Sequence, residues 1–396
     1  MSSSIMMFTF QPFGVAAVQS SMFSPLITST IVNTSGQSMS STRFTEIREE
    51  CMTKISEDPR IDPRIKAVFG AIDLQGNGTV DVESREQLLE KAQTPEAEAQ
   101  RQFMQAFLDA VNTEEVASSE GLTIKDLDFK SDPDGNSVKI CFIRPNSDDA
   151  LPCVYYIHGG GMQTMSCYDG NYQAWGKIIA SKGVAVAMVD FRNSLIPSSS
   201  EQVAPFPAGL NDCVSGVKWV ANNHADLGIN PEQIIIAGES GGGNLTLATG
   251  LKLKEEGNMA LVRGLYALCP YIAGIWPLPE NPSSVENNGI LLDLHNNQGA
   301  MAYGIEELEN RNYLAWPGFA NEDQVKGLVP TMISVNECDP LRDEGINFYR
   351  LLLRAGVSAR CRQVMGTIHG TEIFPSTCPD VSGDTANDIA NFCKTV

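Results

Sequence analysis

Histidine is scarce in this chain, and neither long apolar runs nor paired cysteine motifs occur in it. The 396 residues include four histidines, and no apolar stretch is long enough to cross a membrane. None of the ten cysteines forms a Cys-x-x-Cys pair, and no histidines or cysteines stand at the spacing of metal ligands. The sequence therefore indicates neither a membrane span nor a thiol redox motif, and we expect no bound metal.

Basic residues are outnumbered by acidic ones, with 28 Lys and Arg against 48 Asp and Glu, which gives a formal net charge of −20. A surface of this sign repels nucleic acid and anionic lipid. These two classes of partner are therefore not expected, whereas a neutral small-molecule substrate is compatible with the charge.

Charged residues are missing altogether from the first 42 positions. A secretory signal begins with basic residues and continues with an unbroken apolar core, but this segment has no basic start, and Gln11 and Pro12 interrupt its apolar residues early. We interpret residues 1–42 as an uncharged arm, either flexible or covering the substrate as part of a cap. We expect a cytoplasmic protein whose cysteines at predicted strands, such as Cys153 and Cys269, are free thiols.

Two patterns divide the rest of the chain. Apolar residues recur at helical spacing over residues 43–130, which we predict to be a helical cap region, and short apolar strands alternate with helices over residues 131–396. An excursion at 275–328 interrupts the alternation and is expected to join the cap. Strands separated by amphipathic helices imply the α/β class, with a mostly parallel central sheet flanked by helices. The predicted strands are Val138–Ile143, Cys153–Ile157, Val184–Asp190, Gln233–Ala237, Gly264–Cys269, Thr331–Asn336 and Ala359–Met365.

The motif GESGG spans residues 238–242 and directly follows the apolar run Gln233–Ala237. Where a β-branched strand turns sharply into a helix at Gly-x-Ser-x-Gly, the serine is held in a strained, exposed position. Small residues on both sides let the strand and the helix approach closely. A helix-compatible segment, Asn244–Thr249, follows the motif. The pattern is typical of a nucleophile elbow, with Ser240 as the nucleophile.

A second glycine motif, HGGG at residues 158–161, follows the predicted strand Cys153–Ile157. Consecutive glycines let backbone N–H groups point into a site with no side chain in the way. We assign the oxyanion hole to the N–H groups of Gly160, Gly161 and Gly241. The alternative, a phosphate-binding loop, lacks the Walker lysine and the GxGxxG spacing. The residues expected to support the loop are His158, Gly159 and Glu239.

Acyl transfer by a serine needs a base, and the scarcity of histidine allows the base to be sought by elimination. His158 belongs to the glycine motif, His224 follows a polar Ala-Asn-Asn segment, and His295 lies in the polar part of the excursion. His369 follows the last predicted strand. The chain order serine, acid, histidine is typical of hydrolases with a nucleophile elbow, so we predict His369 as the base.

The acid is expected after the penultimate strand, where the sequence reads NECDPLRDE over residues 336–344. Asp339 stands at the end of that strand, directly before a proline. Asp343 and Glu344 fall in the first turn of the next helix, where acidic residues commonly favour the helix dipole. We predict Asp339 as the acid, with Glu337 as the remaining alternative.

Together, HGGG, GESGG, DPLRDE and the late histidine resemble the hormone-sensitive-lipase group of α/β-hydrolase carboxylesterases, in particular brefeldin A esterase-like members. The resemblance runs from about Asp58 onward and includes the sequence segments GESGGGNL, AWPGFA and VNECDPLRDEGI. It implies an α/β-hydrolase catalytic domain over residues 131–396, a helical N-terminal cap and a triad of Ser240, Asp339 and His369. It also implies hydrolysis of short-to-medium acyl esters without a cofactor.

The resemblance leaves the substrate and the assembly open. The same triad opens lactones, so a lactone or macrolide ester hydrolase is the first alternative activity. A ligand receptor that keeps the fold and lacks the base is the second, and the presence of His369 argues against it. Relatives often pair through their last strand and helix, which implies a homodimer through Asp384–Val396. The candidate pocket residues, for which ordinary core packing is the alternative role, are Met162, Tyr168, Trp276 and Trp316.

Overall fold

The structure, a computed structural model, describes residues 55–70, 80–200 and 202–396. The arm predicted at residues 1–42 lies outside the described residues, as does the start of the helical region predicted from residue 43. Among the described helices, none combines the length and the hydropathy needed to cross a bilayer. The nine described cysteines are free thiols, as predicted.

One sheet of eight strands organises the described part of the chain. In chain order, the strands are β1 Leu122–Lys130, β2 Ser137–Pro145, β3 Leu151–Ile157, β4 Ala185–Asp190, β5 Ile229–Glu239, β6 Gly264–Leu268, β7 Thr331–Cys338 and β8 Ala359–Ile368. Their order in the sheet is β1-β2-β4-β3-β5-β6-β7-β8. β2 runs antiparallel to β1 and β4, and the other neighbouring pairs are parallel. The predicted α/β class with a mostly parallel sheet is confirmed.

Helices connect the strands and cover both faces of the sheet. The longer α-helices are α1 Pro63–Phe69, α2 Arg85–Ala92, α3 Pro95–Asp109, α4 Gly170–Ala180, α5 Ala208–Asn222, α7 Gly241–Glu255, α12 Arg342–Arg354 and α13 Pro379–Thr395. The shorter ones are α6 His224–Leu227, α8 Ser283–Glu286, α9 Gln298–Tyr303, α10 Ile305–Glu309 and α11 Glu322–Val325. Apolar residues of α5, α7 and α12 pack on one face of the sheet, and those of α4 and α13 pack on the other.

The run of isoleucines in β5 shows why the central strands read as unbroken apolar segments. Ile234 and Ile236 pack on the face covered by α5 and α7, whereas Ile235 packs on the opposite face, and all three are fully buried. Because side chains alternate along a strand, a strand covered on both sides needs apolar residues at every position. Each such side chain contributes about 1.5–3 kcal/mol relative to an exposed one.

The first strand, which was not predicted from the sequence, lies within residues 43–130, the segment predicted as the helical cap region. Leu122–Lys130 pairs with the whole length of β2 and forms one edge of the sheet. Only Phe129 within it is fully buried, and its other residues are half-buried or exposed. The main sheet therefore begins at Leu122, inside the segment predicted as cap.

The excursion between β6 and β7 contains four short helices within the described residues and contacts the N-terminal region. Asn297 accepts a hydrogen bond from the backbone N–H of Val82 at 2.9 Å and donates one to the carbonyl oxygen of Val82 at 2.8 Å. Gln298 donates to the carbonyl oxygen of Val80 at 2.7 Å. These contacts support the proposal that the excursion forms part of the cap.

A buried ion pair near the end of β4 leads to a prediction about stability. Arg192 donates from its side chain to both carboxylate oxygens of Asp212, at 2.9 and 3.0 Å, and Asp212 is fully buried. Removing Asp212 leaves the exposed Asp134, 2.9 Å away, as the ion partner of the buried guanidinium. Because the buried partner and its two hydrogen bonds are lost, we expect Asp212→Ala to lower the free energy of unfolding by about 3 kcal/mol. Urea denaturation followed by circular dichroism measures this change.

The exposed pair of Arg354 and Glu322, 2.9 Å apart, provides the matched control. Glu322→Ala removes a carboxylate that is already solvated, so its effect should stay below about 1 kcal/mol. Equal losses in the two variants would contradict the role assigned to the buried pair.

Candidate active site

The sharp turn predicted at GESGG joins β5 directly to α7. β5 ends at Glu239 and α7 begins at Gly241, so Ser240 is the single residue between them, with φ 57° and ψ −119°. Its backbone N–H donates to the carbonyl oxygen of Leu268 at 3.0 Å. A Cβ on Gly238 would lie 2.5 Å from the carbonyl oxygen of Gly242, so the close approach of strand and helix requires glycine there. A non-glycine residue with positive φ is uncommon and marks strain that the surrounding structure must hold.

The structure brings together the serine, histidine and aspartate that the sequence predicts. His369 Nε2 lies 2.9 Å from Ser240 Oγ, and His369 Nδ1 lies 2.8 Å from Asp339 Oδ2. Asp339 is fully buried, and its other oxygen accepts a hydrogen bond from the backbone N–H of Leu341 at 2.9 Å. With Nδ1–H donating to the carboxylate, Nε2 is free to accept the hydroxyl proton of the serine.

The other acidic residues of this segment, Glu337, Asp343 and Glu344, form hydrogen bonds with groups other than His369. Glu337 accepts the backbone N–H of Gly366 at 2.7 Å. Asp343 accepts hydrogen bonds from Arg342 and from the backbone N–H of Ser283. Glu344 is buried and accepts hydrogen bonds from the segment after β6. The donors are the backbone N–H groups of Ile272 and Ala273 and the side-chain Nε1 of Trp276. Of these acidic residues, Asp339 is the one hydrogen-bonded to His369.

The thiol of Cys269 lies close to the side chains of His369 and Asp339. Cys269, Asp339 and His369 form the one group of possible metal ligands among the described residues, with ligand atoms within 4.8 Å of one another. Asp339 and His369 already bond to each other, and burial raises the pKa of the Cys269 thiol to about 11. Because His369 Nδ1 already bonds to Asp339 and its Nε2 to Ser240, the geometry favours the hydrogen-bonded arrangement over a metal site.

The HGGG loop passes directly over the elbow. Gly160 and Gly161 have φ 86° and 62°, a conformation that favours glycine. A Cβ on Gly241 would lie 2.7 Å from the backbone nitrogen of Gly161 and 2.6 Å from that of Met162. The backbone nitrogens of Gly161 and Met162 therefore lie against the start of α7, next in sequence to Ser240. The oxyanion hole assigned to Gly160, Gly161 and Gly241 stays a prediction.

The residues predicted to support this loop include His158, its first residue, and Glu239, the residue before the serine. The His158 ring stacks on Phe191 with centroids 4.3 Å apart, and its Nδ1 lies 3.1 Å from the carbonyl oxygen of Gly159. Both side chains are buried, His158 fully and Glu239 to 2% exposure. Burial raises the pKa of Glu239 to about 7, against hydrogen bonds from two tyrosines that lower it.

One cavity contains the serine in its wall, and a second, larger cavity shares lining residues with it. The inner chamber, about 330 Å³, is mostly apolar and contains Ser240 and His369 in its wall. The outer chamber, about 720 Å³, is lined by α3, by β1 and β2, and by the segments 164–169 and 196–199. Three residues line both chambers and form the waist between them, and these are Met165, Leu291 and Phe374.

The four candidate pocket residues lie in different places. Tyr168 lines the outer chamber. Met162 is 1% exposed, and Trp316 is fully buried against Tyr271 and Tyr303. Trp276 stacks on Tyr271, which itself lines the inner chamber.

Sequence reasoning missed most of the apolar wall of the inner chamber. Leu291, Leu292 and Leu294 come from the excursion, and Ile373 and Phe374 follow the histidine loop. The apolar run at residues 290–292 within an otherwise polar segment was the available signal. A run of this kind is equally typical of core packing, so the sequence did not distinguish the two roles.

Comparison with known proteins agrees with this geometry. Residues 154–373 match the family described as alpha/beta hydrolase fold. The esterase Est22 superposes with a TM-score of 0.86 and 71% sequence identity, over 87% of this chain and 100% of that one. Brefeldin A esterase, described as a bacterial homologue of human hormone sensitive lipase, superposes with a TM-score of 0.76 and 33% identity, over 87% and 96%.

A curated relative adds to these structures. Carboxylesterase NlhH of Mycobacterium tuberculosis is 30% identical over 246 residues, which are 61% of this chain and 73% of that protein. The family match covers more than half of the chain, and the resemblance seen in the sequence motifs is confirmed. The chain belongs to the α/β-hydrolase family and, within it, to the hormone-sensitive-lipase-like group of esterases.

Proposed function

We propose that this protein is a serine carboxylesterase that hydrolyses short-to-medium acyl esters through an acyl-enzyme. The observation that carries the proposal is the unbroken hydrogen-bonded series from Ser240 through His369 to Asp339, with distances of 2.9 and 2.8 Å. The series opens into an apolar chamber, and backbone nitrogens of the glycine loop lie against the start of α7. These are the parts that acyl transfer to a serine requires.

The reaction follows from the positions of these groups. Ser240 Oγ attacks the ester carbonyl carbon while its proton passes to His369 Nε2, and Asp339 stabilises the resulting imidazolium. The N–H groups of Gly160, Gly161 and Gly241 hold the carbonyl oxygen as it becomes an oxyanion. The C–O bond then breaks, and His369 returns the proton to the leaving alcohol. Water repeats these steps on the acyl-enzyme and releases the acid.

The volume of the inner chamber supports a small acyl group. At about 330 Å³ it lies at the low end of ligand pockets. The outer chamber is roughly twice as large and supports a second candidate, hydrolysis of a lactone or macrolide ester, since brefeldin A esterase shares 33% identity with this chain. A cytoplasmic location and a homodimer through the last strand and helix stay predictions.

A series of esters tests the proposed function. We expect p-nitrophenyl acetate and butyrate to be hydrolysed with much higher kcat/KM than the decanoate or palmitate, because the inner chamber accepts only a small acyl group. Simple lactones of increasing ring size are assayed in parallel. Activity confined to lactones would favour the second candidate, and folded protein inactive on every ester and lactone would contradict both.

The dependence of activity on pH is a further expected result. Burial lowers and the Asp339 carboxylate raises the pKa of His369, and the net effect places it well above the usual histidine value. Only the neutral imidazole accepts the serine proton, so kcat/KM should rise as pH increases through this raised pKa and then reach a plateau. We therefore expect the acid limb above about pH 6.5. An acid limb centred clearly below that value, measured with p-nitrophenyl acetate, would contradict the raised pKa.

A further inference from the structure

We propose that Glu239, the residue before the nucleophile, positions the oxyanion loop through the hydroxyl of Tyr172. In this role Glu239, which lies with Tyr172 in the wall of the inner chamber, acts by fixing the backbone of Gly159 at the start of the glycine run. The inference rests on the proposed function and adds to it a connection between the elbow and the loop.

The connection is a short series of hydrogen bonds. The backbone N–H of Gly159 donates to Tyr172 Oη at 2.9 Å, and that hydroxyl donates to Glu239 Oε1 at 2.5 Å. The second carboxylate oxygen accepts from the hydroxyl of Tyr156 at 2.6 Å. Tyr172 lies on α4 and Tyr156 on β3, so the carboxyl group joins the elbow to two other elements and, through one of them, to the loop.

Because these side chains are buried, any of their polar groups left without a hydrogen-bond partner would raise the free energy of the folded protein. Tyr172 is fully buried, Tyr156 is 1% exposed and Glu239 is 2% exposed. An unpaired polar group at such depth carries its full desolvation cost, and a carboxyl group carries more than a hydroxyl. Each hydroxyl therefore keeps the carboxyl group in one orientation, and the carboxyl group keeps both hydroxyls in place.

Direct packing reinforces the hydrogen bonds. A Cβ built on Gly159 would overlap Glu239 Oε1 and lie 3.0 Å from Tyr172 Oη. The loop backbone thus rests on the carboxyl group and the tyrosine hydroxyl, and glycine is required there for contact rather than for a positive φ. Gly160 and Gly161, whose N–H groups we assign to the oxyanion hole, follow in the next two positions.

The position of the loop matters because the donors act only on the transition state. An N–H group stabilises the oxyanion when it lies about 2.7–3.1 Å from that oxygen. A displacement of about 1 Å can reduce the rate by about 100-fold. Loss of the hydroxyl that accepts the Gly159 N–H should therefore lower kcat and leave KM almost unchanged, since Tyr172→Phe keeps the aromatic ring in the wall of the inner chamber and removes only a buried oxygen.

Tyr172→Phe is the main test, assayed with p-nitrophenyl acetate. We expect kcat to fall about 10- to 100-fold and KM to change less than about twofold. The matched control is Tyr266→Phe, which removes a tyrosine hydroxyl that donates to Asp388 of α13 at 2.6 Å rather than to Glu239 or the loop, and it should retain wild-type kcat. Tyr156→Phe removes a bond to the same carboxyl group without touching the loop and should reduce kcat less than Tyr172→Phe.

A transition-state analogue separates positioning from a loss of stability. A trifluoromethyl ketone accepts Ser240 Oγ at its carbonyl carbon, its oxygen becomes the oxyanion, and the serine proton passes to His369. We expect Tyr172→Phe and Glu239→Gln to weaken this inhibitor by the same factor as kcat. In the double variant, the losses should be smaller than the product of the single losses, because both changes break one connection.

Each outcome bears on the proposal. Equal kcat in Tyr172→Phe and wild type, or a lower melting temperature with unchanged inhibitor affinity, would overturn the positioning role while leaving the esterase proposal intact. Multiplicative losses in the double variant would also overturn it. If Tyr172→Phe does not fold, Glu239→Gln carries the same test. Hydrolysis that survives in Ser240→Ala would instead contradict the proposed function itself.

Discussion

Ser240→Ala should abolish ester hydrolysis, with kcat on p-nitrophenyl acetate falling by at least about 10⁴-fold. The substitution removes the Oγ atom that lies 2.9 Å from His369 Nε2, so no acyl-enzyme can form. The wild type should release a burst of about one p-nitrophenol per active site before steady turnover. The variant should show no burst, and circular dichroism should show an unchanged fold because the side chain contributes little to packing.

A buried serine outside the site gives the control for this change. Ser284 is fully buried in the excursion and donates to the carbonyl oxygen of Asn281 at 2.7 Å. Ser284→Ala should retain wild-type kcat and the burst. A burst in Ser240→Ala, or equal loss in both variants, would show that another residue forms the covalent intermediate.

Much of the sheet could be predicted because its central strands are covered on both sides. Seven predicted strands correspond to β2–β8. β1 was missed because Leu122–Lys130 is an edge strand with little buried area, and its apolar alternation changes phase between Ile124 and Leu127. A strand with one half-buried face gives a weak periodic signal.

The residues of the site also differ in how far the sequence could predict them, depending on whether they follow strands or lie in loops. Ser240 and Asp339 were predictable because each follows a buried strand, and His369 because it follows the last strand of the chain. The ends of parallel strands meet at one edge of the sheet. The waist residues Met165 and Leu291 could not be predicted from the sequence. They lie in loops and have φ of 74° and 64°, and no local sequence pattern indicates such a conformation. Loop conformations of this kind depend on contacts between distant segments.

Asp339→Asn should lower kcat by about 10⁴-fold and leave the fold intact. The amide has the shape of the carboxyl group, and its oxygen can still accept the Leu341 N–H. Its nitrogen, however, would face His369 Nδ1 as a donor. The imidazole would then carry its proton on Nε2, where it cannot accept the proton of Ser240. Loss of the carboxylate charge also removes the group that raises the pKa of His369, so the acid limb of the remaining activity should shift to lower pH.

Glu337→Gln and Asp343→Asn are matched controls, since both acids lie within five residues of Asp339 and were alternatives on sequence grounds. Glu337 bonds to the Gly366 N–H, and Asp343 bonds to Arg342 and Ser283, so neither change alters the tautomer of the histidine. Both variants should keep kcat within about tenfold of wild type, because they affect only second neighbours of the reacting groups. A 10⁴-fold loss in Glu337→Gln with an active Asp339→Asn would reverse the assignment. Comparison of the three pH profiles decides the matter, because only the acid that bonds to His369 moves the acid limb when its charge is removed.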